Sequence, residues 1–420
     1  MFYCLIYVVR YKMKWAFILS VFLFSATSVV AQGVFRSSSS IRFSKRDFAD
    51  TVKVKVIDGA VIVPVEIAGS VRNLLFDTGA QSGFWIRLDE EWMNLAEADS
   101  LNVMDINENR KKRASYVLPP VKLGGLVIEN YSVVAADGMR NYLCDMFDGA
   151  MGFDLVGRGL SFKLDTKDSL LIVTDIKGFF ATEEQGRPYV KYKLVNKSRP
   201  VIDVEMPFGT LSTIFDTGAM RTWVQMSQRM LDNWLYKHPK KREEVDALTV
   251  QMDSTINTNI GLFGFKKDTM VERFIRFPSL SVGGLRFEDL YLSTACNGSR
   301  VGAAVLNRTS LIIDAQKKKF VFMPHDGSSV IMVGNDGLGS ISFVPTEPND
   351  TLGVLKAVVR KGGAAYLKGV RTGDYLLEAD GTPITDICTY VHLDRRNSAM
   401  SFMFRSPDGT LKHVVLERTF

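Results

Sequence analysis

The chain has 420 residues, 46% of them hydrophobic and 23% charged, an ordinary globular composition with material for more than one core. Its formal charge is +6, but residues 1–31 hold Arg10, Lys12 and Lys14 and no acid, so a chain without them carries +6 − 3 = +3, too mild to argue for nucleic acid. Four histidines (His238, His325, His392, His413) and four cysteines lie without metal-ligand spacing, so neither a zinc site nor a Ser-His-Asp site has support, and no metal or cofactor is expected.

Lys12 and Lys14 precede the apolar run "WAFILSVFLFSATSVVA", which ends in small residues. That order is a basic region, an apolar region and a cleavage site, so residues 1–31 are expected to be a secretory signal, with a membrane anchor as the alternative. Cleavage after Ala31 leaves an exported protein without a stable membrane span, periplasmic or extracellular in a bacterium. Residues 32–50, with serines at 37–40, are expected to be a flexible lead-in.

An internal repeat follows. With Val65 set on Val204, a shift of 139, "VEIAGSVRNLLFDTGA" (65–80) lies on "VEMPFGTLSTIFDTGA" (204–219) without a gap. Further on, "LPPVKLGGLVIENYSVV" (118–134) matches "FPSLSVGGLRFEDLYLS" (277–293), and "DGAMGFDLVGRGLSFKLD" (148–165) resembles "VGAAVLNRTSLIID" (301–314). In that last alignment Val305 stands where the first half has Gly152. Short Val-, Ile-, Leu- and Phe-rich segments parted by Gly, Asn or Asp predict two β domains, at 51–185 and 186–328. Helical spacing is confined to stretches such as "SQRMLDNWLYK" (227–237). Two basic clusters, Arg110–Arg113 ("RKKR") and Lys237 to Arg242, are expected on solvated helix faces or loops, and Lys317–Lys319 in an exposed turn.

Cys4 leaves with the signal, and three cysteines remain. One thiol therefore lacks an internal partner, and a Cys144–Cys296 disulfide is one option. From residue 329 the character changes: "LGVLKAVVRKGGAAYLKGVRTGDYLLEADGTPITD" (352–386) has no upstream copy and predicts a small α+β domain over 329–420.

The candidate chemistry lies in Asp77-Thr78-Gly79-Ala80 and Asp216-Thr217-Gly218-Ala219, each at the end of an apolar strand. Glycine permits a tight turn and close backbone approach, and threonine can stiffen the loop by local hydrogen bonds. Related loops on two similar lobes imply a pseudo-twofold axis that brings Asp77 and Asp216 together. Two such carboxylates share a proton, so one can activate a water while the other protonates a carbonyl oxygen. Trp85 and Trp223 are expected to pack beside the loops, and Arg221 to stand in a solvated turn rather than bind a substrate carboxylate.

These features resemble the aspartic proteases, over about residues 52–325. The "DTGA" of both copies is similar to the retropepsin-like branch, and two fused lobes in one chain are similar to the pepsin-like arrangement. The resemblance implies a mainly β fold of two pseudo-symmetric β-barrel lobes. It also implies catalytic Asp77 and Asp216, supporting loops formed by Thr78, Gly79, Ala80, Thr217, Gly218 and Ala219, and a flap over 102–117 with Tyr116 as its aromatic contact. Ser or Thr often follows the Gly in two-lobed members, so Ala80 and Ala219 imply a dyad that titrates higher and works at less acidic pH. The tail resembles a PDZ domain through "GGAAYLKGVRTGDYLLEADGTPI" (362–384), which implies capture of a peptide C-terminus, with "GLGSISF" (337–343) as the carboxylate loop. The expectation is thus an exported aspartic endopeptidase, monomeric in its catalytic unit, acting on peptide or protein substrates. A catalytically inactive peptide-binding protein of the same fold and a structural assembly protein are the alternatives.

Overall fold

Apolar runs punctuated by turn residues build strands throughout. "AVIVPVEI" forms strand Ala60–Ile67 and "SVRNLLF" forms Ser70–Phe76, joined at Ala68-Gly69, both at positive φ (49° and 76°). A tight turn with that backbone suits the twist of a hairpin. The computed structural model describes residues 41–86, 99–136, 144–195, 198–266, 268–334, 338–346, 354–393 and 399–417. The described residues all fall in one compact unit, while the expected signal over 1–31 lies outside the described residues.

The architecture is mainly β, in curled sheets. An 11-stranded sheet takes its strands from residues 42–151, and a 9-stranded sheet takes its own from 193–332. A 6-stranded sheet joins the halves, in the order Tyr189–Lys191, Lys319–Pro324, Thr309–Asp314, Ser161–Asp165, Leu170–Thr174, Ala49–Lys53. Its centre is the antiparallel pairing of Phe162 with Ile313, Lys163 with Ile312 and Leu164 with Leu311. Each half supplies a hairpin and one outer strand, so the sheet carries the twofold relation that the repeat implied. Phe162, Leu164, Leu311 and Ile313 are buried in the main apolar core.

Four expectations need correction. Residues 42–50 are not a free lead-in, since Arg42–Phe43 pairs with Leu126–Glu129 and Ala49–Lys53 with Leu170–Thr174. Strand Val330–Met332 pairs parallel with Leu285–Ser293, and Ile331 and Val333 enter the main core, so the second-half sheet runs past 328. "RKKR" opens strand Arg110–Val117 rather than a helix or loop. Cys144 pairs with Cys388 of the tail (Cα–Cα 5.1 Å), while Cys296 is a buried free thiol. The candidate helix does form, at Gln228–Lys237, with Ser227 Oγ accepting from Met230 N at 3.2 Å.

The tail has its own core and a sheet ordered Ile341–Pro345, Leu355–Val359, Tyr375–Ala379, Ala399–Arg405, Leu411–Glu417, with Thr382–Pro383 beside Tyr375–Ala379. Short helices Ala364–Leu367 and Ile387–Val391 accompany it. No helix among the described residues is long and apolar enough to cross a membrane.

Candidate active site

In each half a strand with a buried apolar end carries an Asp into a turn. Ser70–Phe76 buries Leu74, Leu75 and Phe76 before Asp77, and Gly209–Asp216 buries Phe215 before Asp216. A parallel neighbour fixes each exit: Asp77 N donates to Met151 O at 2.9 Å, and Asp216 lies opposite Gly302.

Thr78 and Thr217 lock the loops together. Each backbone N–H donates to the other's hydroxyl at 3.0 Å. The hydroxyls donate in turn to Phe215 O (2.7 Å) and Phe76 O (2.6 Å). Both threonines are fully buried, so this ring satisfies polar groups that water cannot reach. The sequence suggested local stiffening by each threonine; the partner is in fact the opposite half.

Gly79 and Gly218 allow the approach. A Cβ on Gly79 would run into the Asp216 carboxylate, and one on Gly218 would sit 2.5 Å from Asp77 Cγ. Asp77 Oδ1 accepts from Gly79 N (2.8 Å) and Ala80 N (3.0 Å), while Asp216 Oδ1 accepts from Gly218 N (3.0 Å). The Asp216 carboxylate thus lies against the Asp77 loop and the Asp77 carboxylate against the Asp216 loop, so the two carboxyls face each other across the glycines. Burial first, and then the Asp216 charge, push the Asp77 carboxyl up to about 8 against the pull of the Ala80 and Gly79 N–H groups. The raised value has the direction expected from Ala80 and Ala219, but burial and the facing carboxylate are its largest causes. Ala80 packs against an apolar cluster that contains Leu75, Phe84 and Ala150.

Strand register corrects the repeat alignment. Leu75 pairs with Ala150 and Phe76 with Met151; Ile214 pairs with Arg300 and Phe215 with Val301. Gly302, not Val305, is therefore the counterpart of Gly152. Phe153 N donates to Ala80 O and Ala303 N to Ala219 O, both at 3.0 Å, which repeats the same register one residue on.

That register also exposes a residue the sequence reading missed. Arg300 takes the place of fully buried Ala150, and its Nη1 lies 3.3 Å from Asp216 Oδ2. The sequence signal was a lone arginine entering the apolar run "RVGAAVL".

The 102–117 region forms a hairpin of Asp99–Met104 and Arg110–Val117. Its turn docks on the second half: Asn107 Nδ2 donates to Asn259 O, and Asn257 Nδ2 to Asn107 Oδ1, both at 3.0 Å. Arg229 pairs with Glu108, and Lys111 and Arg113 lie over the Phe263 ring. Tyr116 stands away from this tip, at the hairpin base opposite Val133, with its ring packed on the main core. The aromatic flap contact assigned to Tyr116 therefore has no counterpart at the tip. Arg221 is neither free nor placed as a substrate ligand: its Nε bonds Asp58 Oδ2 of the first half at 2.6 Å. Trp85 is fully buried, and Trp223 packs edge-on against Phe287, as core residues. Lys317 and Lys319 both reach Glu184, at 2.7 and 2.9 Å, so their turn is anchored by ion pairs.

No family model matches the chain, and no curated protein matches it. Among solved structures, the crystal structure of the aspartic proteinase from Irpex lacteus is similar to it, with 14% sequence identity over 66% of this chain and 97% of that chain and a TM-score of 0.39.

Proposed function

We propose that this chain is an aspartic endopeptidase in which Asp77 and Asp216 share a proton and activate a water between them. One observation carries the reading: two carboxylates from equivalent loops each lie against the opposite loop's glycine, held there by the reciprocal Thr78–Thr217 ring. Such a pair can hold one proton and one negative charge, the state needed to deprotonate a water and protonate a carbonyl oxygen together. The hairpin over 99–117, docked across to the second half by Asn107, would cover an extended peptide and exclude solvent from it. The proposed lobes are 51–185 and 186 to about 334, after a signal over 1–31 that exports the protein.

The tail is proposed to be a PDZ-like module. Strand Ile341–Pro345 ends its sheet, and Phe343 meets Tyr390 of helix Ile387–Val391 with ring centroids 4.7 Å apart. A strand edge beside a helix is a site for adding a peptide strand. Arg300 favours a second reading, an inactive peptide-binding protein, because its guanidinium stands 3.3 Å from Asp216 Oδ2 and engages an oxygen that a water would otherwise meet.

Digestion of a diverse peptide library across pH separates the two. Wild type lacking residues 1–31 should cleave internal bonds. Asp77→Asn and Asp216→Asn should each lose activity by on the order of 10²–10⁴-fold, the usual share of general acid–base catalysis. If wild type cleaves no bond that the variants leave intact, the endopeptidase reading fails.

A further inference from the structure

The two halves of the dyad are not electrostatically equivalent. Arg300 is 8% exposed and Asp216 15% exposed at their side chains, and their nearest N–O distance is 3.3 Å. Arg300 Nε and Nη2 are buried and meet no hydrogen-bond acceptor among the described residues. A buried guanidinium left without its anion is strongly unfavourable, so Asp216 is the group that compensates it. Arg199, at the start of strand Arg199–Met206, adds a second positive field felt by Asp216.

Asp77 has different neighbours. Besides Asp216 it meets the N–H groups of Gly79 and Ala80, and the strand beside its own carries Gly149, Ala150 and Met151. Behind that strand's exit, Tyr131 accepts a hydrogen bond from Gly152 N at 3.1 Å and lies beside Asp154. The positive charges therefore stand on the Asp216 side, and the apolar cluster of Leu75, Phe84 and Ala150 on the Asp77 side.

We infer that Arg300 is a positioning residue that fixes where the shared proton resides: Asp216 keeps the negative charge and Asp77 carries the proton. The catalytic consequence rests on the endopeptidase reading, whereas the location of the charge does not. Water gives a proton to Asp216 while its oxygen bonds to the scissile carbonyl carbon, and Asp77 gives its proton to the carbonyl oxygen. On collapse the C–N bond breaks, Asp216 passes its proton to the leaving nitrogen, and the hydroxyl proton returns to Asp77. Water is consumed, and the dyad ends as it began. The burial-driven rise at Asp77 agrees with this assignment. A fixed positive charge beside Asp216 favours each ionisation of the pair, so its removal should move both limbs of the pH–rate profile upward.

Two measurements test this. In thermal unfolding at neutral pH, Asp77→Asn should not lower Tm and should raise it, because the amide spares the folded state the proton uptake that the raised Asp77 carboxyl requires. Asp216→Asn should lower Tm by on the order of 5–10 °C by stranding Arg300, and adding Arg300→Met should recover most of that loss. Equal losses for the two Asn variants, a larger loss for Asp77→Asn, or no recovery in the double variant overturns the assignment. In the pH–rate profile, Arg300→Met should raise the acidic limb by about one unit or more, while Arg300→Lys should not. An unmoved limb in Arg300→Met also overturns it. Absence of any cleavage by wild type defeats the endopeptidase reading alone, and the unfolding comparison still decides where the charge lies.

Discussion

Thr78 and Thr217 accept each other's backbone N–H at 3.0 Å in both directions. Because each hydroxyl also donates to the carbonyl before the opposite Asp, four hydrogen bonds close a ring between residues 139 apart in sequence. Thr217→Val keeps the shape and deletes two of them, leaving Thr78 N–H and Phe76 O buried and unpaired. The expected cost is about 2–4 kcal/mol in urea unfolding, against under about 1 kcal/mol for Thr217→Ser, which keeps the hydroxyl. Equal stability of the Val and Ser variants would show that the ring does not hold the loops.

Asn107 is fully buried at the tip of a hairpin whose arms bury only Leu101 and Ser115, and its amide serves both Asn257 and Asn259 of the second half. Asn107→Ala leaves those partners unpaired and should free the tip. On the proposed function, KM should rise roughly tenfold or more, the equivalent of one or two lost buried hydrogen bonds. Trypsin should also gain access to Arg110–Arg113 just beyond the tip. Unchanged KM with newly accessible arginines would separate the latch from substrate holding, and no change in either would remove the latch altogether.

The parts legible in the sequence were those with local signatures: the duplicated Asp-Thr-Gly-Ala, the short strands parted by turn residues and the helical spacing of 227–237. Long-range pairing was not legible. Gly149 and Gly302 aligned because both precede Ala, yet the parallel ladder sets Gly302 with Gly152, and that shift brings Arg300 opposite Ile214. The basic run "RKKR" concealed a strand because Arg110, Lys111 and Lys112 are all exposed, so burial imposes no alternation on them. Gly327-Ser328-Ser329 marked a turn rather than a domain edge, for the chain re-enters the second-half sheet at Val330. Cys388 found Cys144 across 244 residues, a choice set by where the tail docks and by no spacing rule.

Asp154 supplies a pH signature of stability. Although the residue keeps some surface, its Oδ1 is buried without a hydrogen-bond partner among the described residues, and burial pushes the carboxyl from 3.8 to about 7. The folded protein therefore holds a proton here that the unfolded chain has released, so stability from this group is present below pH 3.8 and falls as pH rises towards 7. Asp154→Asn cannot ionise. Urea unfolding between pH 4.5 and 7.5 should give the wild type a more negative slope of stability with pH than the variant, by up to about 1.4 kcal/mol per pH unit. Parallel slopes would mean that Asp154 is ionised in the folded protein.

The disulfide makes the final prediction. Cys144 and Cys388 join the first half to helix Ile387–Val391, and His392 Nε2 lies 2.6 Å from Cys144 O beside them. Non-covalent contacts cross to the tail as well: Arg360 lies over the Phe274 ring and Lys361 pairs with Asp253. Cys296 is buried, and burial raises its thiol to about 11, which makes it slow to alkylate in the native state. A chain without residues 1–31 has three cysteines. Alkylation after unfolding without reductant should therefore label one, at Cys296, and with reductant all three. Label at Cys388 without reductant would instead indicate a Cys144–Cys296 bond. Replacing both Cys144 and Cys388 by Ser should cost about 2–4 kcal/mol in stability. It should leave cleavage of short peptides within about twofold, since neither residue touches the dyad and uniform binding energy is unchanged. Limited proteolysis should then release the tail faster than in wild type; an unchanged rate would mean that the contacts of Arg360, Lys361 and His392 hold it without the covalent link.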